Sequence, residues 1–367
     1  MPKERIISAD SHVLIRDEDV RAHLPRRLHD DYTNAKAAFY AKMLAGKPQK
    51  QPRAAAEGGP GYGGLPTDQA HEAAGRKGEW DPHERLRDMD VDGVDAEVLY
   101  TEPSAGTMYY DLPGDGRRLA FEAFNTAALA FAAVDPRRLL PVYLIPVVDV
   151  DEAVAEVHRV AKGGARAVML PLYPQDLGLP GWYDKRYDRL WSAIQETGMP
   201  ISQHVGASSA LWDVMKYDPT PAKGIFQSLP PLHMAETIAN WIVGGTLERF
   251  PGLRIVLVEA GLGWIPFFIA RLDNMKKRHG WDRHGMLRET PSFYWKRQCA
   301  VTFEEDEFGV RNRHAIGVET LMWATDYPHP DSTGPHSQDV LKTHLEGVPL
   351  DEARAIIGGN AARLYRL

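Results

Sequence analysis

Four residues of ligand type stand far apart in this chain: Asp10 and His12 in IISADSHV, His204 in PISQHVG, and Asp326 in LMWATDYPHPD. Each lies at or just beyond the end of a short apolar run that reads as a buried strand. Carboxylate and imidazole are the donors that zinc, manganese and iron(II) accept, so the four brought together would make a mononuclear metal site. Taken singly, each also fits a structural role. Asp10 could cap a following helix, and either histidine could satisfy a buried hydrogen bond.

Further candidates stand nearby. Glu259 follows the apolar run IVLV and precedes AGLGWIP, which should place its carboxylate beside the ion, where it could move a proton or bind the metal; a plain ion pair with an arginine is the structural alternative. His329 lies three residues after Asp326 and could orient a ligand, touch substrate or close the loop between Pro328 and Pro330. Trp212 and His233 fall in a segment after the strand that carries His204 and are candidates for lining a substrate pocket. Glu102 and Glu304 also follow strands, but their local sequence does not separate them from solvated acids.

Such a scattered set needs a scaffold that gathers strand ends. Apolar runs alternate with helix-period segments along the whole chain, the pattern of βα units and a parallel sheet. Eight strands are expected, at Arg5–Ala9, Ala96–Tyr100, Leu140–Ile145, Ala167–Leu170, Pro200–Gln203, Arg254–Val258, Cys299–Thr302 and Leu321–Ala324. Helices are expected between them, among them 82–94, 119–134, 150–161, 187–196, 234–244 and 264–277. Their even spread, with no linker between halves, favours a single (β/α)8 TIM barrel spanning residues 1–367, in which active-site groups come from the carboxyl ends of several strands. Residues 49–78, rich in Gly, Pro, Ala and Gln, read as a flexible or lid-like insertion. The aromatic-rich segments 205–232 and 281–296 are expected on or near the catalytic face.

Composition narrows the function classes. With 367 residues, 44% hydrophobic and 25% charged, the chain can bury a large core. A net charge of -7 supplies no basic footprint for nucleic acid. Cys299 is the sole cysteine, which excludes an intrachain disulfide and a thiolate zinc cluster and points to a reducing compartment. No secretory signal or membrane-length apolar run is visible, so a cytoplasmic protein without a membrane partner is expected.

Five segments carry a resemblance: DSHV, RLRDMDVDGVDAEVLY, ISQHVG, LERFPGLRIVLVEAGLGWIPF, and ATDYPHPDS with GGNAARLY. In combination they resemble the amidohydrolase-related branch of the metal-dependent hydrolases, the group that includes aminocarboxymuconate semialdehyde decarboxylase. The resemblance covers nearly the whole chain and implies that Asp10, His12, His204 and Asp326 are metal ligands, with Glu259 at the family's acid/base position. Two departures stand out. The family commonly shows His or Glu where this chain has Asp10, and His where it has Glu259.

The resemblance implies one divalent ion, with zinc(II) first and manganese(II) or iron(II) as alternatives, and homodimers of the kind common among relatives. It admits two reactions on a small cyclic or aromatic substrate. The first is hydrolysis of an amide, ester or lactone by metal-activated water, with Glu259 and Asp326 as catalytic groups; the second is non-oxidative decarboxylation of an aromatic or unsaturated acid. The missing strand-6 histidine tilts the reading towards hydrolysis. A metal-free barrel that binds a small ligand is the remaining alternative.

Overall fold

The computed structural model describes residues 5–44, 76–101, 106–206, 228–279, 287–329 and 332–367. Its strands are β1 Ile7–His12, β2 Ala96–Tyr100, β3 Leu139–Pro141, β4 Tyr143–Leu144, β5 Val168–Met169, β6 Ile201–His204, β7 Ile255–Val258, β8 Cys299–Phe303 and β9 Leu321–Trp323. All pairings are parallel and follow chain order, β1 to β3 in one group and β4 to β9 in the other.

β3 and β4 correspond to the one strand expected at Leu140–Ile145. Val142 stands between them, donating its amide back to Leu99 while Tyr143 donates forward to Ala167, so the sheet turns a corner there without losing continuity. At the other seam the chain leaving β9 meets β1: the Asp326 amide donates to the Asp10 carbonyl at 3.0 Å, and the His12 amide donates to the Tyr327 carbonyl. Parallel strands in chain order, separated by helices and joined at these two seams by main-chain bonds, are those of the (β/α) TIM barrel expected from sequence.

Local sequence explains the helices that follow or precede site strands. In the helix Pro82–Asp92, Asp81 accepts from the amides of His83 and Glu84, proline fills the first turn, and Gly93 ends the helix at φ 75°. The left-handed conformation at Gly93 is one that a side chain would strain. The helix Val150–Lys162 starts likewise on Asp149 and shows its apolar face, Ala153, Val157 and Val160, to the core. Among the described residues no helix is long and apolar enough to cross a membrane.

Three sequence expectations change. β1 runs to His12, so Asp10 and His12 lie within the strand, with a register shift between Ser8 and Ser11. The aromatics of 287–296 do not line the catalytic face: Pro291–Gln298 is a helix leading into the amino end of β8, and Tyr294 and Trp295 are buried in the core. Trp295 donates its indole N–H to the Ile316 carbonyl at 2.9 Å, which is why an aromatic with a polar edge can be buried there. Of the expected insertion, residues 49–75 lie outside the described residues, whereas Gly78 is buried and packed against the helix that follows it. Trp212, Trp281 and Glu102 also lie outside the described residues.

Candidate metal centre

The described members of the set meet at the carboxyl end of the barrel. Asp10, His12 and His204 form one group of ligand atoms within 4.8 Å of one another, and His12, Glu259, Asp326 and His329 form a second that shares His12. His12 Nε2 lies 3.2 Å from Asp326 Oδ1 and 3.9 Å from Asp10 Oδ1. His204 Nε2 lies 3.6 Å from Asp10 Oδ1 and 3.9 Å from Glu259 Oε2. The alternation of a strand accounts for the first pair, since residues two apart share a face, and Ser11 between them turns the other way into a hydroxyl cluster with Ser8 and Thr325.

Burial gives this geometry its meaning. Asp10, His12, His204 and Asp326 are each at most 3% exposed. Both carboxylate oxygens of Asp10, both ring nitrogens of His12, Nε2 of His204 and Oδ1 of Asp326 lack a hydrogen-bond partner. Buried polar groups without partners are costly, on the order of 1–3 kcal/mol each, and so many gathered in one small cluster are hard to account for as core packing. A divalent cation would accept one nitrogen of each imidazole together with carboxylate oxygens, and two carboxylates with two neutral imidazoles balance its charge. The residues present therefore fit the ion that the sequence implies.

Neighbouring groups orient the donors. His204 donates Nδ1–H to the Val205 carbonyl at 2.9 Å, which turns Nε2 towards Asp10 and Glu259. Its ring meets Tyr100 edge-on at 5.2 Å, and the Tyr100 hydroxyl is 3.0 Å from Ser202 Oγ in the barrel floor. His329 contacts Asp326 Oδ2 through Nδ1 at 2.9 Å and stacks on His12 at 4.0 Å between ring centres.

Glu259 and Asp326 share an uncommon backbone state, with φ of 54° and 56°. For residues with a Cβ this costs on the order of 1–2 kcal/mol, and such strain gathers at sites where it aims a side chain. The Glu259 amide is held by Thr302 Oγ1 at 2.7 Å, and Asp306 holds the next turn by accepting from the amides of Leu262 and Gly263. Unlike the buried four, the Glu259 side chain is 28% exposed.

The protein charges divide the acids. Burial and the repulsion of Asp326 push the Glu259 carboxyl well above the usual carboxylate range, with His204 pulling the other way and Glu304 and Asp10 adding to the rise. Burial would also raise Asp326, but the His329 and His12 imidazoles outweigh it and hold that carboxyl below its usual range. For His204, burial favours the neutral ring, yet Asp10 and Glu259 prevail and push it up to about 9.

Glu304 is a participant that local sequence did not distinguish: it lies just past β8 and its charge reaches Glu259. Its position, one residue beyond a strand end on the same barrel face, was the available signal. His233 lies in the first turn of the helix Pro230–Val243 and is not among the clustered ligand groups, although the Tyr173 hydroxyl reaches its carbonyl at 3.5 Å.

A barrel with a buried carboxylate–imidazole cluster at the carboxyl ends of its strands defines a metal-dependent enzyme of the hydrolase and carboxy-lyase kind. The amidohydrolase family model matches residues 16–367, and the chain belongs to that family; β1, with Asp10 and His12, precedes the matched segment. Over 272 residues it is 23% identical to 2-amino-3-carboxymuconate-6-semialdehyde decarboxylase of Dictyostelium discoideum, covering 68% of this chain and 67% of that protein.

Solved structures share the fold. 5-Carboxyvanillate decarboxylase from Sphingomonas paucimobilis superposes with a TM-score of 0.70 at 21% identity, over 100% of both chains. The corresponding enzyme from Novosphingobium aromaticivorans, with bound manganese and 3-methoxy-4-hydroxy-5-nitrobenzoic acid, gives 0.72 at 18% identity, over 100% of this chain and 98% of that one.

Proposed function

We propose that this protein is a metal-dependent, non-oxidative decarboxylase of an aromatic or unsaturated carboxylic acid. The observation that carries the proposal is the pairing of a buried, partnerless ligand cluster with one reachable, proton-retaining carboxyl, Glu259, at its edge. The names of the relatives favour this reaction over the hydrolysis to which the sequence alone tilted.

In this reading Asp10, His12, His204 and Asp326 hold the ion, and Asp10 is a ligand despite its shorter reach. The mixed oxygen and nitrogen donors suit manganese(II), the ion named for a structural neighbour, as well as the zinc(II) expected first. Lewis acidity towards a substrate carboxylate and a neighbouring oxygen is the chemistry a divalent ion supplies when bound there.

The rest falls to the chain's own groups. Decarboxylation breaks the bond between the carboxylate and the substrate carbon, leaves the electron pair on that carbon, and needs one proton delivered to it. Glu259, kept protonated by burial and by Asp326, is suited to donate it and regains a proton from solvent through the mouth. Asp326 shares in catalysis through its charge. His329, in contact with Asp326 and His12, is proposed to bind substrate, and His233 and Trp212 are proposed as further substrate-binding residues.

The test is turnover in D2O by manganese-loaded protein, on a panel of aromatic acids that carry an oxygen substituent beside the carboxylate. The expected product has one deuterium at the vacated carbon and releases one CO2 per turnover. Hydrolysis of lactones, esters or amides, with no CO2 from any acid of the panel, would instead establish the hydrolase reading, with Glu259 acting as base.

A further inference from the structure

Arg85 has no exposed surface and lies on the helix Pro82–Asp92, outside the ligand cluster. Its guanidinium reaches four elements at once. Nε donates to Glu97 Oε2 on β2 at 2.5 Å, and Nη1 donates to the main-chain carbonyl of His12 at 2.7 Å and to that of Gly78 at 3.3 Å. The ring of Tyr327, the residue after Asp326, lies 4.1 Å from Cζ.

Space around this group is tight. A Cβ on Gly78 would come within 2.6 Å of Asp88 Oδ2 and 2.7 Å of the Tyr327 hydroxyl, so a side chain there would have to displace the ends of both. Tyr327 donates its hydroxyl to Asp88 of the same helix at 2.5 Å, and the His12 amide donates to the Tyr327 carbonyl. One cation thus grips the main chain of one proposed ligand and the flanking residue of another, while its charge is balanced by a strand that carries no ligand.

We propose that Arg85, anchored by Glu97, is a positioning residue that sets the spacing between His12 and Asp326 and thereby the affinity of the site for a divalent ion. The inference rests on the metal-site reading above. A site of this kind needs its donors held to within roughly 0.5 Å, and groups behind metal ligands typically govern about 10–100-fold in affinity. A buried ion pair is a poor device for stability, because desolvation offsets its attraction, whereas its directional bonds specify geometry. The planar guanidinium can serve Glu97 and the His12 carbonyl together, which a lysine ammonium cannot do in the same geometry.

The experiment compares the wild-type chain with E97Q, with the double variant R85M/E97L and with R85K. Removing both charges together avoids leaving one of them buried and unpaired. Circular dichroism of the metal-free proteins reports folding, Mn(II) titration followed by paramagnetic resonance reports affinity, and the visible spectrum of the Co(II)-substituted protein reports ligand geometry. The expected result is a folded E97Q and double variant that bind Mn(II) about 10–100-fold more weakly with a shifted Co(II) spectrum, and no rescue in R85K.

Folded variants with wild-type affinity and an unchanged spectrum would overturn the inference alone. Variants that lose their fold would also overturn it, by making the pair a folding requirement and not a positioning one. A wild-type chain that binds no Mn(II) would overturn the metal-site reading itself.

Discussion

The two sides of the barrel mouth are held in different ways. Asp10, His12 and Asp326 line the seam between β1 and the chain leaving β9, where the Asp326 and His12 amides, the hydroxyls of Ser8, Ser11 and Thr325, and Arg85 bind neighbouring strands together. Across the mouth, Glu259 follows β7 with its amide on one threonine hydroxyl and its side chain 28% exposed. The difference teaches a division of labour. The braced side suits a group that must stay still, an ion, and the open side suits one that must exchange protons with substrate and solvent.

The largest effect should come from removing the proposed ligand that reaches the braced group from outside the seam, on β6 beside β7. His204→Ala removes an imidazole that faces both Asp10 and Glu259, and tight binding of Mn(II) or Zn(II) should vanish with activity, read by metal content after dialysis. Retention of one tight ion in that variant would place the site elsewhere. Next, Glu259→Gln should keep the ion and lower kcat by about 10²–10⁴-fold, the usual worth of a positioned acid or base. Full turnover by Glu259→Gln would remove this residue from the chemistry.

A pH series sharpens the contrast further. In the metal-free chain the His204 value, about 9, lies above its reference of 6.5, so its stabilising contribution is complete below about 6.5 and fades as pH rises through about 9. An entering cation must displace that proton. Apparent affinity should therefore climb up to roughly tenfold per pH unit between about 7 and 9 and level off above, read by calorimetric titration in buffers of different ionisation enthalpy. Affinity independent of pH over that interval would show that His204 is not protonated there.

The smallest effect is expected at Thr302. Thr302→Val takes the hydroxyl from the strained Glu259 amide and should cost about 1–3 kcal/mol in stability, read by denaturant unfolding. It should lower kcat while leaving Mn(II) affinity near wild type, since the braced side is untouched. A loss of affinity instead would show that the two sides are mechanically coupled.

Much of this was legible in the residues. Short continuous apolar runs marked the strands because barrel strands are buried on both faces, and ligand types at their ends marked the catalytic side. The Val142 corner was not legible, since a continuous apolar run does not show which neighbour each amide will choose. Tyr294 and Trp295 misled for a related reason: aromatic density looks alike in a pocket and in a core, and only the helix that points them inwards decides.

Arg85 was hidden inside the helix motif RLRDMDVDGVD, where charged residues at helical spacing read as a solvated face. Its burial depends on Glu97, a carboxylate within the otherwise apolar β2, and that lone acid was the available sign. The GGNAARLY segment proves to be architectural: Gly358 lets the chain approach the segment that enters β1, where a Cβ would collide with the Arg5 carbonyl, and Asn360 donates to the Leu321 carbonyl at 2.7 Å.

The central claim is that the partnerless cluster of Asp10, His12, His204 and Asp326 is an ion site, and metal stoichiometry tests it most directly. The wild-type chain, stripped with chelator and titrated with Mn(II), should bind one equivalent tightly and gain thermal stability as it fills, while Asp326→Asn should show neither. A wild-type chain that takes up no stoichiometric ion and gains no stability at saturating Mn(II) or Zn(II) would contradict the account.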